Sequence, residues 1–463
     1  MSAPPATVSA IDLALIRKYA AAAPRYTSYP PATQFTEAFG ADEAAAAIAE
    51  DNGGDAGPLS LYVHIPFCAS QCWYCGCTTV ITRRADVGAE YVADLEREIG
   101  HAASRTRPAR AAVQIHFGGG TPTYLEPGLL VRLGGILRNQ FPVAMDAEFG
   151  VEIDPRRLTS GHVEALAQIG VNRASLGIQD TNPQVQLAIH RWQPMELNVR
   201  AFQWLRQAGI GSINVDLIYG LPRQTAETFA QTIRDALTLE PDRLSVFSYA
   251  HVPWRKPAQR AFERGGELPS ADEKLAMFAL AHELLGQAGY IDIGLDHFAR
   301  PEDELARAQA EGTLHRNFQG YSTHADASLY GFGMSSISST PGTYWQNHKE
   351  LPAWRAAVRQ GALPVERGYR LTAEDRRRRT LVMRLMCDRR LDYAELSRGL
   401  GVEVPQLYAG EIARLEPLER DGLLVRTATG IEVNPPGIPL LRVIASHFDA
   451  TFRPEPGRHA AAI

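Results

Sequence analysis

Strand-like and helix-like stretches alternate along the central part of the chain. Apolar runs of strand length are predicted at 59–65, 113–117, 147–153, 173–178, 212–219 and 243–249. Amphipathic helical stretches follow them at 87–103, 127–139, 161–169, 195–208, 225–239 and 271–288. Six strand–helix units in a row predict a parallel sheet with right-handed crossovers. Because a standard barrel has eight such units, we expect an open, partial (β/α)6 barrel of TIM type.

The flanking segments have other patterns. Short helices are predicted at 11–23 and 41–51, and the prolines of the arm between them prevent a continuous helix. The Gly/Ser-rich region that continues to residue 339 lacks periodicity, so we expect it to be irregular and to lie against the barrel. From residue 371, helices at 373–386, 392–400 and 404–416 precede strand-like runs at 423–426 and 431–433. We predict three parts: an N-terminal helix with a substrate-covering arm (1–55), the barrel with its C-terminal extension (56–365), and a small, mainly helical, winged-helix-like domain (366–463).

Composition narrows the possible classes of function. The chain has 463 residues, of which 45% are hydrophobic, enough for a sizeable core. The formal net charge of −5 gives no expectation of binding to nucleic acid or to an anionic membrane surface. No apolar run approaches the roughly 20 residues of a membrane span, and the alanine-rich start lacks the basic residues of a secretory signal. We expect a cytoplasmic protein, and a monomer because no exposed apolar heptad is present.

Four of the five cysteines follow the first predicted strand directly. Cys68, Cys72 and Cys75 have the spacing Cys-x3-Cys-x2-Cys, and Cys77 follows one glycine later. Three thiolates in one loop can bind three corners of an iron–sulfur cube and leave one iron open. Structural zinc usually needs a second, distant ligand pair, which this sequence lacks. In a second alternative, Cys77 is a fourth ligand, although Cys75 and Cys77 would then crowd one cube.

Polar and glycine-rich residues follow several other predicted strands. They include the run Gly118-Gly119-Gly120-Thr121, then Glu152, Gln179 and Asp216. Because parallel strands end at a common edge, we expect these residues to meet the cysteines there. The glycine run lacks the Gly-Lys-Ser/Thr ending of a P-loop. Each residue alone has an ordinary structural explanation, such as a helix cap or a satisfied buried acid. Their positions at successive strand ends favour a binding site.

The cysteine spacing, with Tyr74 before the last cysteine, resembles the motif of the radical S-adenosylmethionine (SAM) superfamily. In that superfamily the open iron binds SAM, and an electron from the cluster cleaves SAM to a 5′-deoxyadenosyl radical. Much of the chain also resembles one family within it, the oxygen-independent coproporphyrinogen III oxidases. The similar segments are 25–30, 64–68, 75–77, 118–124, 152–155, 177–180, 214–222, 296–299 and 317–321.

The resemblance implies that the ring A and ring B propionates of coproporphyrinogen III are converted to vinyl groups, giving protoporphyrinogen IX in haem biosynthesis. It implies one [4Fe-4S] cluster on Cys68, Cys72 and Cys75, and two SAM molecules. Positions similar to the first SAM site are Tyr62, Gly119, Glu152 and Ile337. Positions similar to the second SAM site are Tyr74, Cys77, Gly120, Thr121, Gln179, Arg191, Asp216 and Ala250. A low-potential reductant and an electron acceptor are the expected partners.

The substrate carries four carboxylates, for which arginines are suitable partners. Arg25 in the arm is the first candidate and Arg300 the second. We expect Cys77, Tyr62 and Arg25 to take part in catalysis. Two alternatives remain open: a haem chaperone of a related group, which usually lacks the arm and Cys77, and a radical SAM methyltransferase acting on a tetrapyrrole. The segment Ser322-Thr323-His324-Ala325 departs from the family pattern, which leaves the detailed shape of the substrate pocket open.

Overall fold

A computed structural model describes residues 11–19, 23–54, 56–84, 86–263 and 268–453. Two helices, α1 (Leu13–Tyr19) and α2 (Ala41–Asp51), flank an extended arm. The predicted helix at 11–23 is confirmed in its centre, while residues 20–22 lie outside the described part. The second helix has the predicted bounds.

The central part is an open barrel of six parallel strands. Its elements are, in chain order, β1 (Leu59–Ile65), β2 (Phe67–Cys68), β3 (Val80–Ile81), α3 (Asp86–Ala103), β4 (Ala112–Gly119), α4 (Pro127–Gln140), β5 (Val143–Ile153), α5 (Ser160–Gln168), β6 (Arg173–Gln179), α6 (Pro183–Ala188), α7 (Met195–Gln207), β7 (Ser212–Tyr219), α8 (Ala226–Leu237), β8 (Arg243–Ser248) and α9 (Ala271–Gln287). Strands β1, β4, β5, β6, β7 and β8 are neighbours in that order, all parallel. The predicted partial (β/α)6 barrel is confirmed.

Alternation along β7 separates the core from the inside of the barrel. Ile213, Val215 and Leu217 are fully buried. Asn214 and Asp216 lie on the opposite face of the strand and are only half-buried. Successive side chains of a strand point to opposite faces, so the apolar set packs against helices α8 and α9. The polar set therefore lines the inside of the barrel, where a ligand can reach it.

Beyond the barrel, the sheet grows to twelve strands. The added elements are β9 (Ile291–Gly294), β10 (His297–Ala299), α10 (Glu304–Glu311), β11 (His315–Asn317), β12 (Gly320–Ser322), β13 (Ser328–Phe332), β14 (Ile337–Ser339), β15 (Thr343–Asn347), α11 (Leu351–Arg359) and β16 (Val365–Arg370). Strands β13 to β16 extend the β1 edge, β10 and β9 extend the β8 edge, and β11–β12 is a separate hairpin. The prediction of an irregular region up to residue 339 was wrong. These strands are too short to show a two-residue period.

The C-terminal part is a helical unit with a small antiparallel sheet. It contains α12 (Ala373–Asp388), β17 (Arg390–Asp392), α13 (Tyr393–Leu400), α14 (Val404–Leu407), α15 (Ala409–Ala413), α16 (Glu416–Arg420), β18 (Leu424–Arg426), β19 (Gly430–Val433) and α17 (Leu441–Ser446). The predicted helix at 404–416 is divided into shorter helices. The domain boundaries at 55/56 and 365/366 remain predictions.

The arm packs into the C-terminal unit through two tyrosines. Tyr26 and Tyr29 are buried in the same apolar cluster as helix α12. The Tyr26 hydroxyl donates a hydrogen bond to Asp449 Oδ2 at 3.0 Å, and the Ala450 amide donates one to Tyr29 Oη at 3.2 Å. The C-terminal unit thus holds the arm in place. In the described part of the chain, no helix is both long and apolar enough to cross a membrane.

Candidate active site

The cysteine loop lies at the mouth of the barrel, directly after β1. It surrounds a cavity of about 360 Å³, here called the cysteine cavity. Most of the site residues predicted from the sequence line it: Cys68, Cys72, Tyr74, Cys75, Cys77, Gly119, Gly120, Thr121, Glu152, Gln179, Arg191, Asp216 and Ala250. These residues come from six strand ends and the loops that follow them. The expected convergence at one edge of the sheet is present in the structure.

All four cysteines of the loop, Cys68, Cys72, Cys75 and Cys77, line this cavity. Cys68 belongs to β2, and its Sγ is 3.4 Å from the Thr121 hydroxyl. Burial raises the pKa of the Cys68 thiol to about 11, so its thiolate needs a positive partner such as a metal. Among the described residues, no group of three or more His, Cys, Asp or Glu side chains is placed to hold a single metal ion. A cubane instead spreads its thiolate ligands over separate corners.

Cys77 lies next to Cys75 in the same loop. The Cys77 amide donates a hydrogen bond to Cys75 Sγ at 3.4 Å, and the Cys77 carbonyl accepts one from Lys256 Nζ at 2.7 Å. Interaction with the Cys75 thiol raises the pKa of Cys77 well above its ordinary value, while the same contact lowers the pKa of Cys75 to about 6. Of the two thiols, Cys75 is therefore the one that ionises readily. Cys77 faces the cavity with its thiol protonated.

Two arginines donate hydrogen bonds to the sulfur of Cys72. Arg156 Nη2 is 3.4 Å from Cys72 Sγ, and Arg191 Nη1 is 3.6 Å away. Both guanidinium groups also bind Asp154 Oδ2, at 2.6 and 3.2 Å respectively. Burial opposes ionisation of Asp154, but the two guanidinium groups outweigh it and hold its pKa at about 2. The three charged groups together place one net positive charge beside Cys72.

The glycine run after β4 packs tightly against the end of β1. Gly119 has φ +120°, and a Cβ there would lie 2.8 Å from the His64 ring. A Cβ on Gly120 would lie 2.5 Å from the carbonyl oxygen of Pro66. The Gly119 amide donates a hydrogen bond to Glu152 Oε2 at 3.1 Å. Only glycine fits at these two positions, and the backbone therefore reaches the cavity without intervening side chains.

A chain of aromatic side chains supports Glu152 from behind. His64 Nε2 faces the carbonyl oxygen of Thr78 at 3.0 Å, so this nitrogen carries the proton. His64 Nδ1 consequently accepts from the Tyr62 hydroxyl at 3.1 Å. Burial lowers the pKa of His64, which keeps the ring neutral. Tyr62 stacks on His116, whose Nε2 is 3.5 Å from Glu152 Oε1.

Asp216 contributes a further carboxylate to the lining of the cysteine cavity. Its carboxylate accepts hydrogen bonds from Ser175 Oγ at 2.9 Å and from Asn214 Nδ2 at 2.8 Å. Burial raises the pKa of Asp216 to about 6. The side chain is therefore ionised at neutral pH, and it lines the cavity.

Gln179 ends β6, and Arg191, which follows helix α6, reaches the same strand with its side chain. Arg191 Nη2 donates to the Gly177 carbonyl at 2.6 Å, whereas the buried Arg191 Nε has no hydrogen-bond partner. Gln179 has φ +69°, a conformation unusual for a residue other than glycine. Backbone strain of this kind often accompanies a functional site. Arg191 is thus no surface cation, and it keeps one N–H group for a ligand.

Three of the predicted residues do not line the cysteine cavity. Tyr62 lies behind it, as described above. Ile337 is on β14, and its carbonyl oxygen lies next to Gly331 on β13. Gly331 pairs with Tyr62 on β1, so Ile337 and Tyr62 lie on either side of the same β13 residue. Arg25 forms an ion pair with Asp296, and its guanidinium lies 5.4 Å from the ring centroid of Phe247, which does line the cavity.

Arg300, the second candidate for the propionates, is far from this mouth. Its backbone amide binds the carbonyl of Asp242, and its Nε donates to the Pro241 carbonyl at 3.0 Å. Both residues precede β8, so Arg300 lies at the amino end of the strands. The cysteines lie at the carboxyl end. We therefore no longer consider Arg300 as a ligand of the substrate.

Sequence reasoning missed several residues of the site. Arg156 follows the end of β5, and its position after a strand was the signal that could have identified it. Gln259 gave no signal, because it lies in a short turn far along the chain. Its buried amide nevertheless donates to the carbonyls of Tyr74 at 3.1 Å and Ala250 at 3.2 Å. Gln259 therefore joins the end of β8 to the cysteine loop.

The residues present fit an iron–sulfur cluster with SAM. Three thiols from one loop line a single cavity, which suits a cluster with an open corner. The unpaired Arg191 Nε suits a carboxylate. Glu152 and the glycine run present acceptors where an amino group can approach. The donor set thus accommodates both parts of the cofactor.

Comparisons with known proteins agree with this geometry. Residues 62–236 match the radical SAM superfamily, and residues 371–440 match the HemN C-terminal domain. Oxygen-independent coproporphyrinogen III oxidase from Synechocystis sp. is 44% identical over 94% of each chain. The same enzyme from Escherichia coli (strain K12) is 44% identical over 96% of each chain.

A solved structure extends the likeness to the whole fold. The structure of coproporphyrinogen III oxidase (HemN) from Escherichia coli, described as a radical SAM enzyme, has a TM-score of 0.91 and 42% identity. It covers 96% of this chain and 100% of that chain. The arm, barrel and C-terminal unit are thus all included in the match. This chain belongs to the oxygen-independent coproporphyrinogen III oxidase family of radical SAM enzymes.

Proposed function

We propose that the chain catalyses oxygen-independent oxidative decarboxylation of coproporphyrinogen III to protoporphyrinogen IX in haem biosynthesis. Each of the ring A and ring B propionates loses a hydrogen atom, CO2 and one further electron, and a vinyl group remains. The observation that carries the proposal is identity of 44% to the named oxidases over 94% or more of the chain. These relatives do not support the alternatives of a haem chaperone or a methyltransferase.

Cys68, Cys72 and Cys75 would hold one [4Fe-4S] cluster, and SAM would bind beside it. When bound, cluster and SAM supply the reducing electron and the radical that removes hydrogen from the propionate. The chain's own residues orient these groups. Arg191 Nε, buried without a partner, suits the carboxylate of a second SAM molecule, to whose site the position of Arg191 is similar. Glu152, fixed by the Gly119 amide, is an acceptor for the SAM amino group.

A second SAM molecule is part of the proposal. The support for it is that Tyr74, Gln179, Asp216 and Ala250 line the same cavity as the three cysteines. Asp216 is ionised above about pH 6, so that it can accept hydrogen bonds from ribose hydroxyls. Ser175 and Asn214 keep its carboxylate oriented towards the cavity.

Cys77, Tyr62 and Arg25 remain the proposed catalytic residues. The Cys77 thiol is protonated beside Cys75, so it can give a hydrogen atom or a proton at the cavity wall. Tyr62 donates to His64 and thereby fixes the neutral ring behind Glu152. Arg25 reaches the Phe247 side of the cavity from the arm. We further propose a cytoplasmic monomer, without bound nucleic acid, that uses a low-potential reductant and an electron acceptor.

An anaerobic turnover assay tests this function. The reconstituted protein is incubated with coproporphyrinogen III, SAM and dithionite, and the product mass is measured. We expect the loss of two CO2 units with SAM, and no product when SAM is omitted. A gain of methyl mass would instead indicate a methyltransferase. Cys72→Ala should abolish turnover because it removes one cluster ligand, and full activity of this variant would contradict the proposal.

A further inference from the structure

Arg316 is a buried cation whose charge is not neutralised by a direct partner. It lies on β11 and is 3% exposed, with its guanidinium 4.6 Å from the ring centroid of Tyr321. Its Nε and Nη1 have no hydrogen-bond acceptor. Within the described ranges of the chain, no ion pair involves this residue. Burying a charge without a partner costs roughly several kcal/mol of folding free energy. We therefore expect an anionic ligand at the Arg316 guanidinium.

The nearest carboxylate does not remove this excess of charge. Asp296 is bound directly by Arg25 through a charged hydrogen bond. Arg442 and Arg316 also act on Asp296, as does His297. Burial and repulsion from Arg25 lower the pKa of Arg316 below its ordinary value. One carboxylate shared in this way cannot compensate Arg316 as well.

Arg316 lies in the wall of a large cavity, here called the second cavity. The volume is about 1040 Å³, which is at the upper end of the usual range for small-molecule sites. The walls include the arm at Thr27 and Ser28, the β11–β12 hairpin at Arg316 and Phe318, and helix α12 at Arg379. Segments 57–58, 323–328 and 339–344 also contribute to them, and Asp326 adds one acidic side chain. Polar and aromatic side chains are both present. The second cavity is therefore large enough for a macrocycle that carries acidic groups.

The arm connects the second cavity with the cysteine cavity. Thr27 and Ser28 line the second cavity. Two residues earlier, Arg25 lies over Phe247, which lines the cysteine cavity. The His297 ring packs edge-on against both Phe247 and Tyr321, the ring that carries Arg316. A continuous layer of arginine and aromatic side chains thus runs beneath the arm from one cavity to the other.

We propose that Arg316 binds a propionate carboxylate of the tetrapyrrole and thereby orients the macrocycle between the two cavities. The inference rests on the proposed function, because it takes the substrate from there. A tetrapyrrole with four propionates can place one at the cysteine cavity and another at Arg316. The planar guanidinium offers paired N–H groups that match a carboxylate. The aromatic layer contacts the apolar face of the macrocycle.

Binding of oxidised coproporphyrin III, a fluorescent probe with four carboxylates, tests the inference in solution. Wild type, Arg316→Met, Arg316→Lys and the control Arg300→Met are compared by fluorescence titration. Coproporphyrin III tetramethyl ester, which lacks the charges, is the second probe. We expect Arg316→Met to weaken binding of coproporphyrin III by roughly tenfold or more, and to leave binding of the tetramethyl ester unchanged. Arg316→Lys should recover part of the affinity, and Arg300→Met should behave as wild type.

Several outcomes would overturn the inference. In the first, Arg316→Met and wild type bind coproporphyrin III with equal affinity. In the second, Arg316→Met loses as much affinity for the tetramethyl ester as for the acid. A third outcome is that acetate stabilises wild type but not Arg316→Met against heat, while both proteins bind coproporphyrin III with the same affinity. The site would then bind a small free anion and not the macrocycle. Should Arg316→Met fail to fold, Arg316→Lys provides the comparison.

The proposed function is tested separately in the same experiment. It fails if wild type neither binds coproporphyrin III nor releases CO2 from coproporphyrinogen III. If wild type decarboxylates the substrate and Arg316→Met does so with the same KM, only the inference fails. A raised KM with nearly unchanged kcat is the expected result, because Arg316 binds the substrate away from the reacting carbon.

Discussion

Replacing Arg156 by methionine should lower the reduction potential of the cluster. The guanidinium of Arg156 donates a hydrogen bond to Cys72 Sγ at 3.4 Å, and its side chain is 18% exposed. Without it, Asp154 and Arg191 form a neutral pair, and the net positive charge beside Cys72 disappears. Because reduction adds an electron to the cluster, removal of a nearby positive charge makes reduction harder.

The structure gives the size of this effect. A unit charge at the distance of the hydrogen bond interacts with a charge on the sulfur by about 5 kcal/mol at an effective dielectric constant of about 20. The added electron is shared over four corners of the cube, so about one quarter, or about 1.2 kcal/mol, acts on Cys72. For a one-electron couple this corresponds to a decrease of about 50 mV.

An anaerobic potentiometric titration, followed by the electron paramagnetic resonance signal of the reduced cluster, measures this potential without turnover. The matched control is Arg157→Met, the same substitution at the next residue, whose side chain is exposed. Arg156→Lys should give an intermediate value because it keeps the charge without the planar fork. If Arg156→Met and Arg157→Met both titrated within about 10 mV of wild type, well below the shift expected from the charge, Arg156 would have no electrostatic effect on the cluster.

Three further predictions concern the loop, the core and the arm. Cys77→Ala should retain a full complement of cluster iron but lose turnover by at least about 100-fold, the lower end for a proton-transfer group; loss of the cluster would instead make Cys77 a ligand. Burial raises the pKa of Glu98 from 4.5 to about 8, so the folded state binds the extra proton between these values. The free energy of unfolding should therefore fall, by up to about 1.4 kcal/mol per pH unit, as the pH rises through this window. Urea titrations at several pH values should show a weaker dependence of this free energy on pH for Glu98→Gln than for wild type. An unchanged pH dependence would exclude Glu98 as the source. Tyr29→Phe removes the acceptor of the Ala450 amide and should lower the free energy of unfolding by about 1 kcal/mol in urea, with Tyr19→Phe as a more exposed comparison.

The barrel could be predicted because its information is local in sequence. Each of the six strands is long enough to show an apolar run, and each is followed by a helix with its own period. The cysteines could be proposed as cluster ligands for the same reason, since their spacing within one loop is read without knowledge of the tertiary fold. The glycine run and Asp216 gained meaning only from the rule that parallel strands end at one edge.

The parts that could not be predicted depend on contacts between distant residues. Gln259 binds the carbonyl of Tyr74 across 185 positions of sequence. Arg316 lies on a strand of three residues, too short to be distinguished from a loop. Arg300 and Arg316 are equally plausible partners for a propionate in the sequence, and only the fold shows that Arg300 is at the opposite end of the barrel. The family resemblance therefore identified a ligand with carboxylates, whereas the position of Arg300 became known only from the fold.

The C-terminal unit, which had no predicted role, gains one from the position of the arm. Tyr26 and Tyr29 are buried in its core, and between their anchors the chain cannot move independently of that core. Arg25 precedes Tyr26 directly and binds Asp296, beside the cavity wall at Phe247. Thr27 and Ser28, between the two tyrosines, line the second cavity. Because the stretch from Arg25 to Tyr29 contacts the C-terminal core and both cavities, the packing of the C-terminal unit determines where the arm covers the barrel. A loss of core packing around Tyr29 should therefore displace Arg25 as well, although helix α12 of that core follows the whole barrel along the chain.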